Sequence, residues 1–176
     1  IRIERNRMNI KIIVKNAMIA AIYVVVSLLL QTLSFASVQI RIAELLMILC
    51  IFDKKYVIPL TLGCFLTNLV GLFMGINPLP LDIIVGPIAT YLSGILMYRF
   101  KHVEFSHKPL LSLLIPCIIN GLLIGTELAF YLNNNNFITL FISSATFVFI
   151  GEFISIFIIG ILLYEPMKKL INYFTY

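Results

Sequence analysis

The chain has 176 residues, of which 61% are hydrophobic and only 12% charged, and its formal net charge is +5. A water-facing surface cannot be covered with so few charges, so a soluble domain is excluded, and at ~20 apolar residues per bilayer crossing about six crossings use the whole chain. The surplus of Lys and Arg lies in short clusters between apolar runs, never as a stripe interleaved with aromatics, which argues against a nucleic-acid partner.

Six apolar segments follow one another: Ile12 to Phe35, Ile40 to Phe52, Tyr56 to Met74, Leu79 to Tyr98, Leu110 to Leu132 and Phe137 to Tyr164. The first is preceded by Arg2, Arg5, Arg7, Lys11 and Lys15, as in a signal peptide, but it is too long for one and is read as a retained helix. The second is short for a full crossing and is expected to be tilted, re-entrant or enclosed by protein. No internal repeat is visible. The expectation is an all-α membrane protein forming one domain over residues 1–176, with six transmembrane helices in a single bundle.

The loops set its orientation. All but Arg41 of the thirteen Lys and Arg residues fall on one side if six helices alternate, which places both termini in the cytoplasm. The opposite side holds three uncharged turns, at residues 35–39, Gly75 to Pro78 and Asn133 to Asn136.

Five charges lie within or at the edge of apolar segments: Arg41, Glu44, Asp82, Glu127 and Glu152. Each costs ~2.5–3.5 kcal/mol at a helix centre and so calls for a partner or a cavity. Arg41 and Glu44, three apart, read either as a local ion pair or as site residues. Asp82 after Pro80 reads either as a helix cap or as a ligand contact. Glu127 stands mid-segment on a stripe with Asn120, Ile124 and Tyr131, which favours a pocket-facing role over interhelical bonding. Glu152 reads equally as a packing residue or a pocket floor. Asn68, on a stripe with Thr61, Cys64 and Gly71, can face the same cavity.

Gly71 with Gly75, and Gly121 with Gly125, have the spacing of close helix packing. Cys50, Cys64 and Cys117 are read as buried free thiols, and His102 and His107 as solvated loop residues. The sequence holds no nucleophile–base pair, no nucleotide-binding glycine loop with its lysine, and no metal-ligand cluster. No metal or cofactor is expected, and the chain is not read as an enzyme.

Several stretches together resemble the QueT family of queuosine-precursor transporters, among the S components of energy-coupling-factor (ECF) importers. They are Asn16 to Ala21, Gln39-Ile40-Arg41-Ile42-Ala43-Glu44, Gly63 to Asn68, and Asp82 to Tyr91 with Gly86, Ala89 and Thr90. The likeness is strongest from Lys15 to Arg99. Pro87 stands where the family usually has a threonine.

The resemblance implies a multi-pass protein of a bacterial plasma membrane that binds a small molecule from outside. It would dock on a transmembrane coupling protein, EcfT, driven by two ATPase subunits of EcfA type. The implied ligand is a 7-deazaguanine such as 7-aminomethyl-7-deazaguanine. Gln39, Arg41, Glu44, Asn68, Asp82, Asn120, Glu127, Tyr131 and Glu152 are the candidate contacts, with Glu127 expected on the ring edge and Asp82 on the side arm. Ala17 and Ala21 match the small-residue motif such subunits turn toward the coupling helices, the alternative being packing inside the bundle. An S component for another vitamin, an intramembrane enzyme and a purely structural assembly protein are the competing readings.

Overall fold

The first apolar run forms helix α1 (Arg2–Leu29), which starts ahead of the hydrophobic segment. Arg, Lys, Glu and Met are good helix formers, so the helix continues through the charged stretch where the apolar pattern ends. The computed structural model describes residues 2–30, 41–132 and 136–175, and every regular element among them is helical.

After residue 40 a 3-10 helix, Ile42–Met47, leads into a short helix α2 (Ile48–Phe52). By rise per residue the two together span roughly 20 Å, well short of the ~30 Å hydrocarbon core. The segment is the enclosed element among the sequence alternatives. Ala43, Glu44, Met47, Ile48, Cys50 and Ile51 are all buried. It contacts both α1 and the later helices.

A single 3-10 turn, Lys54–Tyr56, is capped by the Asp53 side chain, which accepts from the Lys55 backbone N–H at 3.0 Å. It opens α3 (Val57–Phe73). Then come α4 (Asp82–Arg99) and α5 (Leu110–Tyr131). Pro87 lies inside α4, which runs on unbroken as an α-helix. The last apolar segment is one continuous helical run: α6 (Phe137–Glu152), a π turn (Phe153–Ile158) and α7 (Ile159–Thr175), ending beyond the apolar limit at Tyr164.

Leaving aside the short α2, successive helices pack together: α1 on α3, α3 on α4, α4 on α5, and α5 on α6. The α5–α6 contact is the tightest at Gly125, where an added Cβ would lie 2.6 Å from the Ala145 Cα. Glycine is required there because the two backbones meet. Gly121 and Gly125 therefore have the packing role their spacing suggests.

Four helical stretches, Ile10–Leu29, Lys54–Phe73, Leu110–Tyr131 and Phe137–Lys169, are long and apolar enough to cross a bilayer. Their outward faces are apolar too, with Ile13, Leu29, Phe73, Ile138 and Leu162 all exposed. An exterior of that kind suits lipid and not water. The three cysteines are buried and free, and His102 and His107 are exposed in the loop after α4.

Candidate functional site

The polar groups of this apolar chain converge on its interior. Arg41, Glu44, Asp82, Glu127 and Glu152 are all buried. Among the described residues, the interior thus holds four of these carboxylates and one guanidinium.

Arg41 and Asp82 form an ion pair, with Arg41 Nη2 donating to Asp82 Oδ2 at 3.0 Å. Asn77 Nδ2 donates to the same oxygen at 3.0 Å, and Asn68 Nδ2 donates to the Asp82 backbone carbonyl at 2.8 Å. Asp82 is therefore fixed by side chain and main chain together. It opens α4 but makes no side-chain cap bond, so the capping alternative does not apply. Gly86, one turn on, leaves the space that the Asn68 amide uses.

Asn77 belongs to the turn read from sequence as an outer loop, yet it is 1% exposed. Its Oδ1 accepts from the Leu79 N–H at 3.0 Å, an Asx-type turn that sets the path of Leu79 to Leu81 into α4. Sequence reasoning passed over it. The available signal was an Asn two residues before a backbone donor, followed by Pro78 and Pro80.

Glu44 does not pair with Arg41 as the i, i+3 spacing allows. Its Oε1 accepts from the Tyr23 hydroxyl of α1 at 2.5 Å and lies 3.3 Å from Thr90 Oγ1. The Thr90 hydroxyl also reaches the Gly86 carbonyl at 3.1 Å, and its single proton serves one of the two. Tyr23 sits in an apolar run, where nothing in the sequence separates it from an ordinary core aromatic.

Glu152 closes α6 immediately before the π turn, and its Oε1 accepts from Asn120 Nδ2 at 2.8 Å. Both residues are buried, so Asn120 is engaged in an interhelical bond rather than facing a pocket.

Glu127 is arranged differently. It is 5% exposed, and neither carboxylate oxygen has a hydrogen-bond partner. It lines a cavity of about 210 Å³ together with Leu79, Pro80, Leu81, Phe130 and Tyr131. Tyr131, 56% exposed, stands at the rim. The volume falls below the ~300–1,000 Å³ of drug-sized sites and suits a small ring system. Asp82 Oδ1, Glu44 Oε2 and Glu152 Oε2 also lack partners, although none of these three residues lines the cavity.

Of the sequence candidates, Arg41, Asp82 and Asn68 therefore form one cluster, Glu127 and Tyr131 line the cavity beside the turn that leads into it, and Asn120 with Glu152 form a separate pair. Gln39 lies outside the described residues. Ala17 and Ala21 are exposed on α1. No group of His, Cys, Asp and Glu suited to a metal ion occurs among the described residues.

The QueT transporter family profile matches residues 13–169 of the chain. A relative from Lactococcus lactis subsp. cremoris (strain MG1363), named queuosine precursor transporter QueT, is 31% identical over 170 residues, covering 91% of this chain and 94% of the relative. No solved structure matches. With the family match running from α1 into α7, and the relative aligned over nearly its full length, the chain belongs to the QueT transporter family.

Proposed function

We propose that the chain is the substrate-binding S component of an ECF-type importer that takes up a queuosine precursor, a 7-deazaguanine such as 7-aminomethyl-7-deazaguanine. The lactococcal relative's name supplies the substrate class. The observation that carries the chemistry is Glu127, a buried carboxylate with two unpartnered oxygens on a cavity of one ring system's size.

A guanine-type edge presents adjacent N–H donors, and a carboxylate accepts them as charge-assisted bonds roughly twice as strong as neutral ones. Phe130 and Tyr131 provide aromatic surface for a planar ring on the same cavity wall. Four buried carboxylates against one guanidinium also favour a ligand that is rich in donors and cationic. Asp82 keeps Oδ1 free for a side-arm ammonium but shares its charge with Arg41, so Glu127 is the principal contact.

In this reading the chain is a six-helix bundle in the plasma membrane of a bacterial cell, a single domain with both termini in the cytoplasm. It binds the ligand from outside and does no chemistry itself. Import is driven by EcfT and two EcfA-type ATPase subunits, with Ala17 and Ala21 meeting the coupling protein. Their exposure supports that role over packing within the bundle. Mass spectrometry of the purified chain tests the substrate: a co-purifying 7-deazaguanine is expected, and a different vitamin would overturn the assignment.

A further inference from the structure

Helix α1 carries two unlike faces on one rigid rod. Ala20, Tyr23 and Ser27 are buried against the bundle, whereas Ala17, Met18, Ala21, Ile22 and Val25 are exposed. At Tyr23 the buried face reaches the polar centre, through the hydroxyl bond to Glu44. The ring is also held from behind: a Cβ on Gly63 of α3 would lie 2.8 Å from the Tyr23 Cβ and 3.2 Å from the Ala20 carbonyl. At that level α1 and α3 touch, so α1 cannot slide without carrying the hydroxyl away from Glu44.

Glu44 belongs to the 3-10 helix that starts right after Arg41, and its N–H donates to the Arg41 carbonyl at 2.9 Å. One tight turn therefore joins the acceptor of Tyr23 to the guanidinium that holds Asp82. Asp82 in turn ends the Leu79–Leu81 stretch that walls the Glu127 cavity. The path from α1 to the cavity runs through Tyr23, Glu44, Arg41 and Asp82, each step a hydrogen bond or one turn of backbone.

Glu44 has little slack along it. Oε2 has no partner, and Oε1 has Tyr23 and the shared Thr90 hydroxyl. Taking Tyr23 away leaves a buried carboxylate with one weak donor, a costly state that the surroundings must rearrange to relieve. A contiguous chain of hydrogen bonds and tight backbone of this kind can carry free energy between sites.

We propose that Tyr23 is a positioning residue that links the ligand cavity to the outer face of α1, so that filling the cavity tightens the hold of the bundle on that helix. A ligand against Glu127 fixes the Leu79–Asp82 entry, which steadies Arg41, the 3-10 turn and the acceptor that Tyr23 uses. Linkage makes the effect reciprocal: a partner on the Ala17–Ala21 face that prefers the held position raises ligand affinity by the same factor. The inference rests on the ligand-binding reading of the cavity and adds its regulation.

Hydrogen exchange on the full chain in lipid nanodiscs tests it, with and without saturating 7-aminomethyl-7-deazaguanine. In the unmodified chain the ligand should slow exchange about tenfold or more in residues 17–29 as well as around Asp82 and Glu127. In Tyr23→Phe, which keeps the ring, the ligand should still protect Asp82 and Glu127 but slow residues 17–29 by less than about twofold. Gly63→Ala, whose methyl presses on the Tyr23 Cβ and the Ala20 carbonyl and so pushes α1 off α3 while leaving the hydroxyl, should act the same way. A merely structural tyrosine would loosen α1 equally in both states and leave the ligand effect intact; that result in either folded variant overturns the proposal. Protection at Asp82 and Glu127 without protection of α1 in the unmodified chain also overturns it. No ligand protection anywhere would instead remove the ligand-binding reading itself, and this inference with it.

Discussion

Arg41 and Asp82, forty-one residues apart, meet at 3.0 Å with side chains only 8% and 0% exposed. A buried ion pair is weak evidence of net stability, but removing one partner strands the other charge. Arg41→Leu should therefore destabilise the chain by about 3–5 kcal/mol, and Arg41→Leu with Asp82→Leu together by clearly less. Denaturation in detergent reads both. Equal losses in the single and double variants would show that the pair carries no such penalty.

Gly125 faces the Ala145 backbone with no room for a methyl group. Gly125→Ala should cost about 1–3 kcal/mol by overpacking the α5–α6 contact. The same exchange at Gly75, whose added Cβ meets nothing within 4 Å but whose φ is +70°, should cost less, as backbone strain alone. Thermal unfolding of the two variants side by side gives the comparison, and an undisturbed Gly125→Ala would contradict the close packing.

The proposed orientation rests on loop charge and is open to labelling, because the native cysteines are buried. Met74→Cys and Asn136→Cys, both at exposed positions, should react with an impermeant thiol reagent in intact cells, and His102→Cys should not. Labelling of His102→Cys alone would invert the topology.

Docking through α1 predicts a separation of binding from transport. Ala17→Leu should reduce ligand uptake about tenfold or more while leaving the ligand affinity of the purified chain within about twofold. Parallel loss of both would place Ala17 in the bundle's own packing.

The sequence made some of this arrangement readable and hid the rest for physical reasons. Hydropathy located the apolar runs but not the helix ends, since α1 and α7 continue into charged stretches where bilayer preference stops and helix propensity does not. The cost of a charge in lipid singled out Arg41, Glu44, Asp82, Glu127 and Glu152, and all five are buried. Their partners were invisible, because pairing depends on which helices meet. Arg41 passes over its neighbour Glu44 for Asp82, and Glu44 turns to Tyr23 on another helix. The stripe of Asn120, Glu127 and Tyr131 was correct as a helical face, yet its members divide between an interhelical bond and the cavity. Asn77 escaped notice because turn asparagines are common and its burial is a property of the whole fold.

The central claim is that Glu127 accepts hydrogen bonds from the ring edge of a bound 7-deazaguanine. Glu127→Gln keeps the size but turns one acceptor into a donor, a mismatch worth ~1–3 kcal/mol or more when buried. Titration calorimetry on the purified chain should show affinity falling about tenfold to a few hundredfold, and equally for the aminomethyl and cyano forms because both share the ring edge. A folded Glu127→Gln protein that binds both forms with unchanged affinity would contradict the claim.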